Sequence, residues 1–70
     1  MGETYVYEIR VAVHFPARMS AWLSGLGIYN EPNGEATLVG PLADQAALFG
    51  VLTKLHGLNV TLIAVQRLSS

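Results

Sequence analysis

Seventy residues with no cysteine, 51% hydrophobic and only 13% charged at a net charge of −1, narrow the possibilities at once. A chain this short buries only about 60–65% of the surface its unfolded form exposes, so its core is marginal unless a disulfide, a metal or a partner chain adds to it. Disulfides and thiolate metal sites are excluded, four basic side chains leave no electrostatic footprint for nucleic acid, and no apolar run approaches the roughly 18 residues of a membrane span.

An ordinary soluble domain is roughly one quarter charged. A small one needs proportionally more polar surface, not less, so the apolar surplus is expected at a subunit interface, with a ligand cavity as the second possibility. The opening MGETYVYEIRV has neither the basic nor the apolar stretch of a signal peptide, and the expected location is cytoplasmic.

Residues 4–15 alternate with period two. Tyr5, Tyr7, Ile9, Val11, Val13 and Phe15 share one face; Thr4, Val6, Glu8, Arg10, Ala12 and His14 share the other. The pattern predicts a long strand with one wholly apolar side, ended by Pro16. Residues 17–24 read as a short helix with Met19, Trp22 and Leu23 on one face, closed by Gly25. Residues 26–30 form a short strand, and Glu31-Pro32-Asn33-Gly34 is the plainest turn signal in the chain. That turn joins a second arm, residues 35–40, with a positive φ expected at Gly34. Gly40-Pro41 is expected to break the strand.

A long amphipathic helix follows. Leu48, Val51, Leu52 and Leu55 fall at i, i+3, i+4 and i+7 and make one aliphatic stripe. Asp44 is expected in its first turn, where a negative charge suits the helix N-terminus, Lys54 and His56 in its last turn, and Gly57 is the expected left-handed stop. Residues 59–68 are a final strand, apolar on both sides: Leu62 and Ala64 against Ile63 and Val65. Such a strand is either central in a covered sheet or pressed against another subunit.

The order β-α-β-β-α-β predicts one α+β domain over residues 1–70. The expected architecture is the ferredoxin-like split βαβ: a two-layer sandwich with a four-stranded antiparallel sheet, first and third strands central, and both helices on one face. A swapped dimer whose chains complete each other's sheets satisfies the same pattern. The run GPLADQAALFGVLTKL, the terminal LNVTLIAVQRL and the early YEIRV resemble a group of small bacterial proteins of no assigned activity. Their signature is a GPLADQAAL block followed by G-x-L and a terminal aliphatic strand. The resemblance spans nearly the whole chain and implies a natural single-domain unit, without a substrate or a catalytic residue.

No metal site is expected, since His14 and His56 are the only imidazoles and no H-x-x-x-H exists. Glu8, Arg10 and His14 share a strand face. Glu8 and Arg10 stand about 7 Å apart, with His14 about 13 Å further on, a set that could hold an anion or move a proton. No serine lies in a nucleophile elbow; Ser20, Ser24, Ser69 and Ser70 are isolated or terminal. Gly25-Leu26-Gly27 precedes a strand rather than a helix and so is not a phosphate loop. The tyrosines of the first strand lie on its apolar face, which argues against an RNA-binding sheet. No cofactor or catalytic residue is therefore assigned.

The outer side of the long helix is unusual. Ala46, Gly50 and Thr53 lie opposite the aliphatic stripe, with Phe49 beside them. A mid-helix glycine costs about 1 kcal/mol against alanine, and small residues let another backbone approach. Together with Ile63 and Val65, which are placed with Ala12 and Val39 on the open face of the sheet, these residues make up the candidate interface. Two function classes follow. The first is a homodimeric or larger interaction or ligand-binding module. The second is a small dimeric α+β-barrel-type enzyme with a pocket between sheet and helices, to which Arg10, His14 and Trp22 would contribute; a small-molecule ligand suits either.

Overall fold

The computed structural model describes residues 4–69; Met1, Gly2, Glu3 and Ser70 lie outside them. Strand β1 (Tyr5–Val11) is followed by a 3₁₀ turn (Ala17–Ser20), β2 (Gly27–Asn30), β3 (Ala36–Leu42), helix α1 (Gln45–Gly57) and β4 (Leu62–Ser69). The four strands form one antiparallel sheet in the order β2-β3-β1-β4. It is an α+β fold with a single α-helix among the described residues.

β1 is shorter than its alternation suggests, and the register explains why. Val11 faces Ala36, the first residue of β3, and Leu62, the first of β4. Past Val11 a single further hydrogen bond, from the Ala12 N–H to the Thr61 carbonyl at 3.0 Å, closes the ladder, and Val13 lies exposed rather than under the helix layer. Phe15 returns to the core because the Asn30 side chain holds it. Asn30 Oδ1 accepts from the Phe15 N–H at 2.9 Å, and Nδ2 donates to the Phe15 carbonyl at 2.8 Å.

The expected first helix is replaced by a 3₁₀ turn of four residues. Eight residues are too few to recover the cost of helix nucleation unaided. The chain instead curls tightly: the Gly25 N–H donates to the Ser20 carbonyl at 2.8 Å, and Ser24 and Gly25 both take positive φ. The Ser20 hydroxyl donates to the Leu26 carbonyl at 2.6 Å and ties off the curl. Leu23 is fully buried while Trp22 turns outward, so the three residues expected on one face are divided.

The hairpin forms as its turn chemistry dictates. The Gly34 N–H donates to the Glu31 carbonyl at 3.2 Å, closing Glu31-Pro32-Asn33-Gly34, and Gly34 has φ +90°. β3 does not stop at Gly40-Pro41 but runs to Leu42. β2 accompanies β3 only as far as Val39, so Pro41 sits where β3 has β1 on one side and open space on the other. A residue without an N–H is tolerated at such a local edge. Gly40 matters for a different reason: a Cβ there would come within 3.1 Å of Leu26, which packs down onto it.

Asp44 is the N-cap of α1, its carboxylate accepting the Ala47 N–H at 2.8 Å. The left-handed stop falls on Asn59 (φ 59°), not on Gly57, which is the last helical residue. Leu48, Val51 and Leu55 are buried and Leu52 half-buried, as the stripe requires. They meet Ile9 and Val11 of β1, Leu38 and Leu42 of β3, and Leu23, Leu26 and Phe15 from the connections. β4 supplies none of the buried residues. It is an edge strand, not a central one, and that excludes the first of the two readings of its apolar faces.

Candidate interaction surface

The face of each β4 side chain follows from its partner in β1. Residues directly opposite in an antiparallel pair share a side of the sheet. Val65 faces Ile9 and Leu62 faces Val11, both of which belong to the core, so Val65 and Leu62 lie on the helix side. This corrects the placing of Val65 on the open face. Ala64 and Gln66 face Arg10 and Glu8 on that open face, where Gln66 Nε2 donates to Glu8 Oε1 at 2.7 Å.

α1 lies over β1 and β3 and stops short of β4. Leu62, Ile63, Val65 and Leu68 are 47%, 44%, 36% and 47% exposed. A small apolar hollow of about 130 Å³ opens between the end of α1 and the start of β4, lined by Leu52, Leu55, His56, Val60 and Leu62. An edge strand with accessible apolar side chains can bind another chain through apolar contact and through backbone hydrogen bonds along its free edge.

The outer face of α1 is the second exposed surface. Ala46, Phe49, Gly50 and Thr53 are all exposed, Phe49 at 57%. A Cβ on Gly50 would meet nothing within 4 Å, so no contact inside the chain calls for a glycine there. The face is narrower than that of β4 and offers no unpaired backbone.

The three residues expected around a pocket are not gathered in one. Arg10 lies on the open face of the sheet. It lines a shallow groove of about 430 Å³ with Glu31, Pro32, Asn33, Glu35 and Thr37. His14 stands at the rim, its Nε2 donating to the Glu31 carbonyl at 2.7 Å; Thr37 donates to Glu31 Oε2 at 3.3 Å. Trp22 is in the helix layer, on the other side of the sheet. Lys54 of α1 donates to its carbonyl at 2.7 Å and sets its ammonium 5.3 Å from the ring centroid. Among the described residues no group of three or more His, Cys, Asp or Glu side chains is placed to hold a metal ion. None of their helices is long and apolar enough to cross a membrane.

Residues 6–66 match the sequence model of a family described as Domain of unknown function (DUF8691). The chain belongs to that family. No curated protein and no solved structure matches it. Within this DUF8691 chain, sequence reasoning missed the exposure of Leu62 and Leu68 and the clamp made by Asn30. The two leucines were legible in principle, since they belong to the same two-sided apolar strand as Ile63 and Val65. Asn30 gave no signal, because its role depends on Phe15, fifteen residues away, folding back beside it.

Proposed function

We propose that this protein is a small self-associating interaction module, and that β4 is the surface through which it associates. One observation carries the reading: an eight-residue edge strand that leaves Leu62, Ile63, Val65 and Leu68 between 36% and 47% exposed while its residues 62–68 contribute nothing to the core. Exposed apolar surface on a strand with a free edge is costly for a lone chain, which gains by covering it. The strand order, with its two crossovers over a single layer, supports assigning the chain to the ferredoxin-like split-βαβ arrangement, the first helix being contracted to a 3₁₀ turn. Sedimentation or light scattering at micromolar concentration tests the reading. A dimer or larger assembly is expected, and a folded monomer across that range overturns it.

The Arg10 groove favours a second reading, binding of a small polar molecule on the open face of the sheet. A guanidinium beside two carboxylates and a threonine hydroxyl can hold a ligand bearing both an acidic and a basic group. The dimeric α+β-barrel-type enzyme has less support, because Trp22 and Arg10 occupy opposite faces of the sheet.

A further inference from the structure

We propose that β4 pairs antiparallel with β4 of a second copy of this chain about a two-fold axis at Val65, so that two four-stranded sheets become one continuous sheet. This rests on the self-association reading and gives it a specific geometry. Among the described residues β4 pairs with β1 alone, leaving a row of backbone N–H and C=O groups along its other side.

Protected edges carry a lysine, a proline or an inward-pointing charge. LIAVQRLS has no lysine and no proline. Its single charge, Arg67, is drawn back over β1, with the guanidinium carbon 4.8 Å from the Tyr5 ring centroid. The register irregularities that could twist the edge away lie at its two ends, between Val6 and Tyr7 and between Arg10 and Val11. Ala64 to Arg67 stays in regular register between them.

The identity of the occupant follows from chemistry. An incoming strand sets its side chains beside those of β4, so it must itself be apolar on the helix side, beside Val65, and uncharged on the open face, beside Ala64 and Gln66. β4 is such a strand. A strand pairing antiparallel with its own copy is also its own complement, which is the isologous contact of a two-fold dimer. An axis at Val65 centres the ladder on the regular stretch of β4, setting Val65 against Val65 of the second copy and Ala64 against Gln66. The two guanidinium groups then lie on opposite sides of the valine pair. An axis at Gln66 would centre the ladder on two amides, and one at Arg67 would set two cations face to face.

The absence of cysteine makes a direct test available. Val65→Cys and, as a comparison, Phe49→Cys on the outer face of α1 are oxidised and resolved without reductant. The mass of the unsubstituted protein is measured in parallel. A disulfide needs its two Cβ atoms about 3.5–4.5 Å apart, so only a position facing its own copy closes efficiently. The expected result is a dimer by mass, with Val65→Cys cross-linking in high yield and Phe49→Cys not.

Val65→Lys gives a second readout that does not depend on disulfide geometry. Two lysines brought face to face should weaken the dimer on the order of 100-fold or more, leaving a monomer with an unchanged circular dichroism spectrum. A dimer that survives Val65→Lys, or cross-links through Phe49→Cys and not Val65→Cys, overturns the strand pairing while self-association stands. A folded monomer at every micromolar concentration overturns both.

Discussion

The two edges of this sheet are built in opposite ways. β2 is four residues long, runs straight into the Pro32 turn, and commits the Asn30 side chain to the backbone of Phe15. Its Ile28 packs against the core, while Tyr29 stands 58% exposed. β4 is twice as long, carries one charge, and packs none of its residues into the core. The 3₁₀ turn and the curl after it gather over the β2 half of the sheet, and α1 covers the centre; nothing in the described residues covers β4. A domain with too few residues to wrap both edges gathers its covering elements over one half of the sheet and leaves the other more exposed.

That contrast can be broken at several points, beginning where the effect is largest. Leu38 is fully buried at the sheet centre, and Leu38→Ala is expected to cost about 2–5 kcal/mol in urea denaturation, a large share of the stability of so small a domain. Leu68→Ala, measured at a dilution that leaves protomers apart, should cost less than about 1 kcal/mol. Equal costs would mean that β4 is core after all. Next comes the closed edge itself. Asn30→Ala removes both hydrogen bonds to Phe15 and should destabilise by about 1–3 kcal/mol, read as a lowered urea midpoint; no change would show that the clamp does not guard β2.

A smaller effect is expected at Gly34, whose φ of +90° a β-branched residue adopts only under strain. Gly34→Val should lower stability by about 1 kcal/mol, visible in thermal melting. Smallest, and opposite in sign, is Gly50→Leu. With open space around it, the substitution should raise helix stability by at most about 1 kcal/mol and leave the mass of any assembly unchanged. A smaller assembly would transfer the adhesive role from β4 to the outer face of α1.

The parts of this molecule that were readable in advance are those governed by neighbours in the sequence. The Leu48–Leu55 stripe and the positive φ at Gly34 depend on nearby residues, and each appears in the fold; Asp44, expected in the first turn of the helix, caps it instead. The expectations that failed depend on distant partners. β1 ends at Val11 because β3 and β4 begin opposite it, and Pro41 is tolerated because β2 ends at Val39. Periodicity carries neither fact. For the surface, the two-sided apolar pattern of residues 62–65 was visible, but their side of the sheet was not. Only the pairing of Val65 with Ile9 decides that. Arg10 and Trp22 looked compatible with one pocket because sequence spacing does not record that the chain crosses to the other side of the sheet between them.

The neighbourhood of β1 also sets an order of events as the chain is made. β1 is synthesised first and lies between β3 and β4, with Val6 opposite Ser69, so its outer ladder waits for the last strand to emerge. Its inner ladder does not wait: β3 arrives soon after, followed by α1 with its buried stripe. Because β4 holds no core residue, the remainder can collapse around Ile9, Leu38 and Val51 before it arrives. Until then one whole side of β1 stands open to any passing strand. Pairings across such long sequence separations are slow to form, and strands left unpaired meanwhile are prone to aggregation. For this fold the hazard peaks during translation and ends when β4 docks, at which point the open edge passes from the first strand to the last.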